Sequence, residues 1–200
     1  MIKVGLTGGI GSGKTIICRI FELLGAPVYY ADIEAKNFYH HEEIKQKMIR
    51  LLGSEIYVGD QLDRKKLADM IFRDKDLLAS VNHIIHPHVA DHFRRWCEEN
   101  RHHNYVIQEA AILFESNAYK LMDICITVEA PADVRIERIM KRPGMTRSSA
   151  ETIMENQFST DAIISRSDFV ILNDNNHLVI PQVLWIHKYL FERALNHKAL

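Results

Sequence analysis

The sequence has no excess charge of either sign. It carries 25 lysine and arginine residues against 26 aspartate and glutamate residues, which gives a formal net charge of −1 at pH 7. A protein that binds nucleic acid or an anionic membrane surface through its overall field needs a marked positive excess. We therefore expect neither nucleic acid nor a membrane among its partners, and any anion must be captured by a local group of residues.

Long apolar runs and paired cysteines are also missing. No stretch approaches the 18 uninterrupted apolar residues that indicate a membrane-spanning helix, and the first residues show no signal-peptide pattern. The three cysteines, Cys18, Cys97 and Cys125, are an odd number, lie far apart and form no CxxC pair. This pattern favours a reducing compartment and excludes a closed set of disulfides. Together these absences predict a cytoplasmic protein.

What is present is the composition of an ordinary soluble globular protein. Hydrophobic residues make up 47% and charged residues 26% of the 200 residues, so a packed core is expected and a disordered or collagen-like chain is not. At this length we expect one cooperative domain that carries insertions.

A glycine-rich segment near the N-terminus matches a phosphate-binding loop. Residues 8–15 read Gly-Gly-Ile-Gly-Ser-Gly-Lys-Thr, which fits the pattern G-x-x-x-x-G-K-[ST] in full, with a strand pattern before it and a helix pattern after it. Glycines let successive N–H groups turn inward as an anion cradle, and the following helix adds its positive end. Lys14 is expected to reach the β- and γ-phosphates, and Thr15 to bind Mg²⁺ through its hydroxyl. The predicted nucleotide-binding positions are Gly9, Gly11, Ser12, Gly13, Lys14, Thr15 and Ile16.

Short β-branched runs alternate with helical patterns along the chain. Five runs suit strands of a sheet that is covered on both faces, and they are residues 2–7, 27–30, 105–108, 124–128 and 169–172. The order of strand, glycine loop, helix and further strands predicts an α/β fold. We expect a P-loop NTPase core with a five-stranded parallel sheet, like that of nucleoside-monophosphate kinases.

Two helical segments interrupt this core. Residues 32–100 are mostly helical and highly charged, with predicted breaks near Gly53 and at Pro87. Residues 135–164 predict a helical hairpin whose second helix starts with a capping box of Ser148 and Glu151. We therefore divide the chain into a nucleotide-binding core (1–31, 101–134 and 165–200), a helical insertion (32–100) and a second helical segment (135–164).

A phosphate loop alone does not separate kinases from GTPases or motor ATPases. GTPases typically read guanine with an Asn-Lys-x-Asp segment, which this sequence lacks. A small-molecule kinase needs a carboxylate for the acceptor hydroxyl and cations for the transferring phosphate. Asp32, at the end of the second strand, can supply the first or can be a plain helix N-cap. Arg135, Arg138 and Arg142 share one helix face, either to close over phosphates or as a solvated surface paired with Glu137, Lys141 and Glu151.

Taken together, these segments resemble the dephospho-coenzyme A kinases. The opening carries the resemblance through Val4–Lys14, Leu24–Pro27 and Ala31–Asp32. The downstream matches stand in the family's order and approximate spacing: His86–Pro87, Ile112–Glu115, Arg138, Arg142, Gln157, Ser167–Ile171 and Asn173. The resemblance covers roughly residues 2–173 and is far more specific than the phosphate loop alone.

The resemblance implies transfer of the γ-phosphate of ATP to the ribose 3′-hydroxyl of dephospho-CoA, the last step of coenzyme A synthesis. It implies that Asp32 is the acceptor-side carboxylate and base, that the region of Arg138 and Arg142 belongs to a lid (135–164), and that the helical insertion (32–100) helps to form the acceptor site. The predicted catalytic residues are Asp32, Lys14, Arg138 and Arg142. The implied substrates are ATP and dephospho-CoA, with Mg²⁺ as cofactor, and we expect a monomer or weak homo-oligomer. The alternatives are a nucleoside or nucleotide kinase on the same core, and an NTP-gated binding module without a small acceptor.

The sequence departs from the family's pattern at three positions. Tyr30 stands where a second aspartate is common, Ile16 where threonine is frequent, and Ala111 where the family has proline before residues 112–115. Tyr30 puts in doubt any mechanism that needs two acids at this strand end. Two further roles stay open: His86 can contact substrate by resemblance, and Glu109 either holds Mg²⁺ through water or is structural.

Overall fold

A central parallel sheet organises the chain. We describe residues 1–155 and 157–198 of a computed structural model. In chain order the strands are β1 (Ile2–Thr7), β2 (Val28–Tyr30), β3 (Tyr57–Val58), β4 (Gln61–Leu62), β5 (Tyr105–Glu109), β6 (Ile124–Glu129) and β7 (Phe169–Leu172). Five of them form one sheet in the order β2-β5-β1-β6-β7, and every neighbouring pair is parallel. The predicted α/β fold with a five-stranded parallel sheet is confirmed.

Helices connect these strands. They are α1 (Lys14–Leu23), α2 (Ala31–Phe38), α3 (Glu42–Leu52), α4 (Arg64–Arg73), α5 (Lys75–Glu99), α6 (Ala132–Met140), α7 (Arg147–Glu155), α8 (Thr160–Ile164) and α9 (Val179–Lys198). Within the described ranges, none combines the length and the hydropathy needed to cross a bilayer.

The sheet is buried because its strands are apolar on both faces. Val4 and Leu6 of β1 and Ile107 and Ile126 of the neighbouring strands are fully buried, as expected for central parallel strands. The apolar faces of α1 and α9 pack on this core. Each fully buried Ile or Leu side chain stabilises the fold by about 1.5–3 kcal/mol. This packing fixes the carboxyl end of β1, from which the phosphate loop emerges.

The chain forms two compact units. One consists of Met1–Tyr30 with Cys97–Leu200 and contains the parallel sheet, and the other is Ala31–Trp96. The second unit contains α2, α3, α4, most of α5 and the antiparallel hairpin of β3 and β4. Its buried apolar side chains include Ile44 and Met48 of α3 and Val81 and Phe93 of α5.

The predicted helix break at Pro87 is wrong. Helix α5 runs without interruption from Lys75 to Glu99 and contains Pro87 in its interior. Proline removes one backbone donor and clashes with the preceding turn, which costs about 3 kcal/mol in a helix interior. Val81, Ile85, Val89 and Phe93 recur every four residues and are all buried. Packing of this apolar face offsets the local cost, so the helix continues.

The predicted capping box of Ser148 and Glu151 is also wrong. Helix α7 begins at Arg147, so Ser148 lies inside the first turn. The reciprocal bonds instead join Thr146 and Ser149, because the Ser149 N–H donates to Thr146 Oγ1 at 3.2 Å and the Thr146 N–H donates to Ser149 Oγ at 2.9 Å. Glu151 accepts from Arg147 Nε at 3.0 Å. The cap therefore lies two residues earlier than the spacing indicated.

Candidate active site

The phosphate loop spans residues 8–13, between β1 and α1. Gly13 is the N-cap of α1 and has φ 98°, a left-handed conformation that side chains with a Cβ rarely adopt. A Cβ at Gly13 would also collide with the amide of Asn173. Both constraints select glycine at this position, so the loop can bring its backbone N–H groups to the positive end of α1.

Lys14 lies folded against the loop and beside an acid. Its Nζ donates to the carbonyl oxygen of Gly8 at 2.9 Å and is 4.0 Å from Glu109 Oε1. Glu109 ends β5 and is paired in register with Leu6 of β1, which places it next to the loop. Both side chains are largely buried, with 12% of Lys14 and 10% of Glu109 exposed. The structure thus brings Glu109, whose role the sequence left open, to the loop's lysine.

This charged pair influences Cys18, one turn further along α1. Burial raises the pKa of the Cys18 thiol, and the carboxylates of Glu109 and Glu22 raise it further, while Lys14 opposes them. Cys18 is fully buried. It is therefore a neutral packing residue rather than a nucleophile.

Thr15 and Glu109 supply the oxygen ligands that Mg²⁺ prefers. Thr15 is exposed in the first turn of α1, and Glu109 contacts the preceding residue, Lys14. A hydroxyl on α1 and a carboxylate at the end of β5 are oxygen donors of the kind that a magnesium ion accompanying a triphosphate takes.

Arg135 and Arg138 of α6 and Arg142, which follows the helix, have three different environments. Arg138 lies against the loop, where its guanidinium donates to the carbonyl oxygens of Gly11 and Ser12 at 3.4 Å each and to Asn175 Oδ1 at 2.7 Å. Arg142 is exposed, and in the described part of the chain its side chain forms no hydrogen bond or ion pair. The predicted single helix face is wrong for Arg142, because α6 ends at Met140, two residues before it.

Arg135 is buried and holds the outer end of the loop. Its Nε donates to the carbonyl oxygen of Ile10 at 2.9 Å. Its guanidinium also occupies the space that a side chain at Gly9 would fill. Burial lowers the pKa of Arg135 and the carboxylate of Glu129 opposes this shift. The solvated-surface alternative is wrong for Arg135.

Two residues that contact the loop carried no signal of their own in the sequence. Asn173, directly after β7, donates through Nδ2 to the carbonyl oxygen of Ser12 at 2.7 Å. Gln157 accepts the N–H of Ile10 through Oε1 at 2.9 Å. The sequence marked both only through the family resemblance, because neither belongs to a local motif. The carboxyl end of a parallel strand is the one positional signal available for Asn173.

Asp32 belongs to the unit of residues 31–96. It lies half-buried in the first turn of α2, one residue inside the helix, so it does not occupy the N-cap position. In the same unit, burial lowers the pKa of His86 and the carboxylate of Asp32 opposes this shift. The structure thus places Asp32 and His86 within electrostatic reach of each other.

The three departures from the family's pattern have visible consequences. The Tyr30 hydroxyl donates to Glu22 Oε1 at 3.1 Å, and burial raises the pKa of this phenol. Ile16 is 60% exposed and leaves the core unchanged. Ala111 is half-buried at the start of the turn after β5. Tyr30 is therefore a neutral hydrogen-bond donor at a position where the family often has a charge.

Comparisons with known proteins point to one family. A family model described as CoaE: Dephospho-CoA kinase matches residues 2–178. A dephospho-CoA kinase of Porphyromonas gingivalis is 42% identical over 191 residues, covering 93% of each chain. One from Bacteroides fragilis is 36% identical over 196 residues, covering 96% of this chain and 94% of that protein.

Solved structures agree with this result. The crystal structure of TT1252 from Thermus thermophilus has a TM-score of 0.75 at 28% identity and covers 99% of this chain and 96% of its own. A dephospho-CoA kinase from Campylobacter jejuni has a TM-score of 0.69 at 20% identity, with 95% and 97% covered. A shikimate kinase from Bacteroides thetaiotaomicron has a TM-score of 0.54 at 14% identity, with 96% and 98% covered. The last two likenesses concern the fold alone.

Proposed function

The chain belongs to the dephospho-CoA kinase family, and from this premise we propose that it transfers the γ-phosphate of ATP to the ribose 3′-hydroxyl of dephospho-CoA. The products are CoA and ADP, and the reaction is the final step of coenzyme A synthesis. The observation that carries the proposal is the match of residues 2–178 to the dephospho-CoA kinase family. The phosphate loop, in which Lys14 lies against the loop carbonyl of Gly8 and beside Glu109, supports ATP as the donor.

We propose that cations around the loop stabilise the transferring phosphate. Lys14 binds the β- and γ-phosphates, and Arg138, already against the carbonyls of Gly11 and Ser12, turns its guanidinium to the phosphate chain. Arg142, exposed after α6, closes over the γ-phosphate. Positive groups placed before the reaction stabilise charge as it develops on the transferring oxygens.

Asp32 is the proposed general base. Its carboxylate accepts the proton of the acceptor's 3′-hydroxyl as the new O–P bond forms and the bond between the γ-phosphorus and the ADP oxygen breaks. The support is its place directly after β2 and its match to the family's Ala-Asp pair. Because Tyr30 replaces the second acid, we propose Asp32 as the one acceptor-side base.

Mg²⁺ is the proposed cofactor. Thr15 would hold it through its hydroxyl, with Glu109 as a second oxygen donor through water. The bound ion would neutralise part of the negative charge on the triphosphate. Residues 9 and 11–16 form the proposed nucleotide site.

We extend the proposal to the organisation of the chain. The nucleotide core comprises residues 1–31, 101–134 and 165–200, the acceptor region 32–100 and the lid 135–164. We propose a cytoplasmic enzyme that is a monomer or a weak homo-oligomer. Sedimentation velocity across a range of protein concentrations measures its association state.

A coupled assay of ADP release tests the proposed function. The enzyme receives MgATP alone, MgATP with dephospho-CoA, or MgATP with a panel of nucleosides and nucleoside monophosphates. We expect rapid release only with dephospho-CoA. Preference for a nucleoside or monophosphate would instead show a nucleotide kinase, and ATP binding without acceptor-dependent turnover would show an NTP-gated binding module.

A further inference from the structure

Two consecutive residues between α7 and α8 connect two loops of the same compact unit. Gln157 Oε1 accepts the N–H of Ile10 in the phosphate loop at 2.9 Å. The next residue, Phe158, donates its own N–H to Glu115 Oε1 at 3.1 Å. We call this pair, Gln157 and Phe158, the strap. It is hydrogen-bonded to the loop after β1 on one side and to the turn after β5 on the other.

At the phosphate loop, Gln157 of the strap holds the backbone N–H of Ile10, a residue flanked by flexible glycines. Ile10 stands between Gly9 and Gly11, residues with few conformational restraints of their own. Its carbonyl oxygen accepts from Arg135 and its N–H donates to Gln157. Side chains from outside the loop therefore hold both backbone groups of Ile10. The peptide between Gly9 and Ile10 is held by Gln157 at its N–H and by the Ser12 N–H at its carbonyl oxygen.

At the other end, the strap meets the turn that follows β5. Leu113 and Phe114 anchor this turn in the interior, and Glu115 follows them directly. The strap has an anchor of its own, because the Arg166 guanidinium lies 5.3 Å from the centre of the Phe158 ring. A displacement of either loop therefore acts on the other through one pair of adjacent residues.

We propose that the strap couples the nucleotide site to the turn after β5, and that Gln157 and Glu115 are positioning residues for phosphate transfer. This inference rests on the proposed function. It takes the turn after β5 as part of the acceptor side because β5 lies between β1, which leads to the phosphate loop, and β2, which leads to Asp32. Binding of ATP and binding of dephospho-CoA then favour each other. Because both ligands orient the same strap, we expect each ligand to raise the affinity of the enzyme for the other by about 5-fold or more.

Variants that remove one hydrogen bond at a time test the coupling. Gln157→Met keeps the length of the side chain and removes the oxygen acceptor, and Glu115→Met does the same at the other end. Glu115→Gln retains an oxygen for the Phe158 N–H and is the rescue variant. Glu151→Gln, at an exposed ion pair of α7, is the control outside the site. Melting temperatures verify that each variant is folded.

The measurement is the affinity for a non-hydrolysable ATP analogue by calorimetry, with and without dephospho-CoA. We expect the ratio of the two affinities to fall to about 1 in Gln157→Met and Glu115→Met, and to stay at the wild-type value in Glu115→Gln and Glu151→Gln. The double methionine variant should lower kcat no further than either single variant, because the strap acts as one unit. Multiplicative losses in the double variant, or an unchanged affinity ratio in Gln157→Met, would overturn the proposal.

Failure of the proposed function gives a different result. If the wild-type enzyme releases no ADP with dephospho-CoA, the acceptor assignment is wrong. The effect of the strap on the phosphate loop is then measured as the affinity for the ATP analogue without dephospho-CoA. Loss of one hydrogen bond predicts a fall in affinity of about 2- to 10-fold in Gln157→Met. An affinity equal to that of the wild type would reject the strap independently of the acceptor.

Discussion

The carboxylate of Asp32 lies in the first turn of α2, half-buried and within electrostatic reach of His86. We expect Asp32→Asn to leave ATP affinity nearly intact and to lower kcat by about 10² to 10⁴, the range for loss of a general base. Calorimetry with the ATP analogue and steady-state assays separate the two effects. Unchanged turnover would remove Asp32 from the mechanism.

Gly13 tests the geometry of the phosphate loop. Gly13→Ala forces a Cβ into a left-handed conformation and against the Asn173 amide. The left-handed conformation alone costs a residue with a Cβ about 1–2 kcal/mol. Because the contact with Asn173 adds to this strain, we expect a larger loss of stability, together with loss of MgATP binding. Gly25→Ala is the matched control, because Gly25 also has a positive φ but faces open space. Equal losses of stability in the two variants would contradict a close approach at Gly13.

The half-buried imidazole of His86 predicts acid sensitivity. Its folded-state pKa is lowered from 6.5 by burial, so the unfolded chain binds more protons and the free energy of unfolding falls as pH drops below that value. His86→Gln should reduce the loss of melting temperature between pH 7 and pH 5.5. His83→Gln, an exposed site on the same helix, should keep the wild-type slope. If both variants follow the wild-type curve, His86 does not cause the acid loss.

At the scale of single residues, the sequence identified the groups that belong to a local motif. Lys14 and Thr15 follow from the loop pattern, since consecutive positions fix their chemistry. Gln157 lies 147 positions from the amide it accepts, and Asn173 lies 161 positions from Ser12. Contacts over such distances are set by the sheet order, which spacing along the chain does not encode. The same holds for the pairing of Glu109 with Lys14.

Helix α5 contains Pro87 in its interior, and this gives a prediction at the scale of an element. Pro87 is exposed, so its ring contributes little packing, and alanine restores the missing backbone donor. We expect Pro87→Ala to raise the free energy of unfolding by about 2 kcal/mol. Removing the proline relieves its cost in the folded helix, and the greater conformational freedom of the unfolded chain offsets part of this gain. Urea denaturation measures the change. A destabilised variant would contradict this prediction and show that the proline stabilises the helix at this position.

The strands were predictable because buried parallel strands leave a compositional signal. The predicted run 169–172 coincides with β7, and those for β5 and β6 end one residue early. Helix boundaries were less certain. Tertiary packing lets helix α5 continue through Pro87, and the Thr146 cap sets the start of α7. Neither effect is visible in local propensity.

At the scale of the whole molecule, the fold alone does not determine the acceptor. A shikimate kinase shares it at a TM-score of 0.54, although its name gives a different substrate. Family membership rests instead on the match over residues 2–178 and on relatives at 36% and 42% identity. The acceptor is therefore a property of the whole chain, and its test must identify the product.

The most direct measurement is the mass of the product formed from MgATP and dephospho-CoA. We predict that the acceptor gains one phosphoryl group on the ribose 3′-oxygen for each ADP released, and that both products appear in equal amounts. ADP without a mass gain on the acceptor, or a phosphoryl group found at another position, would contradict the assigned reaction.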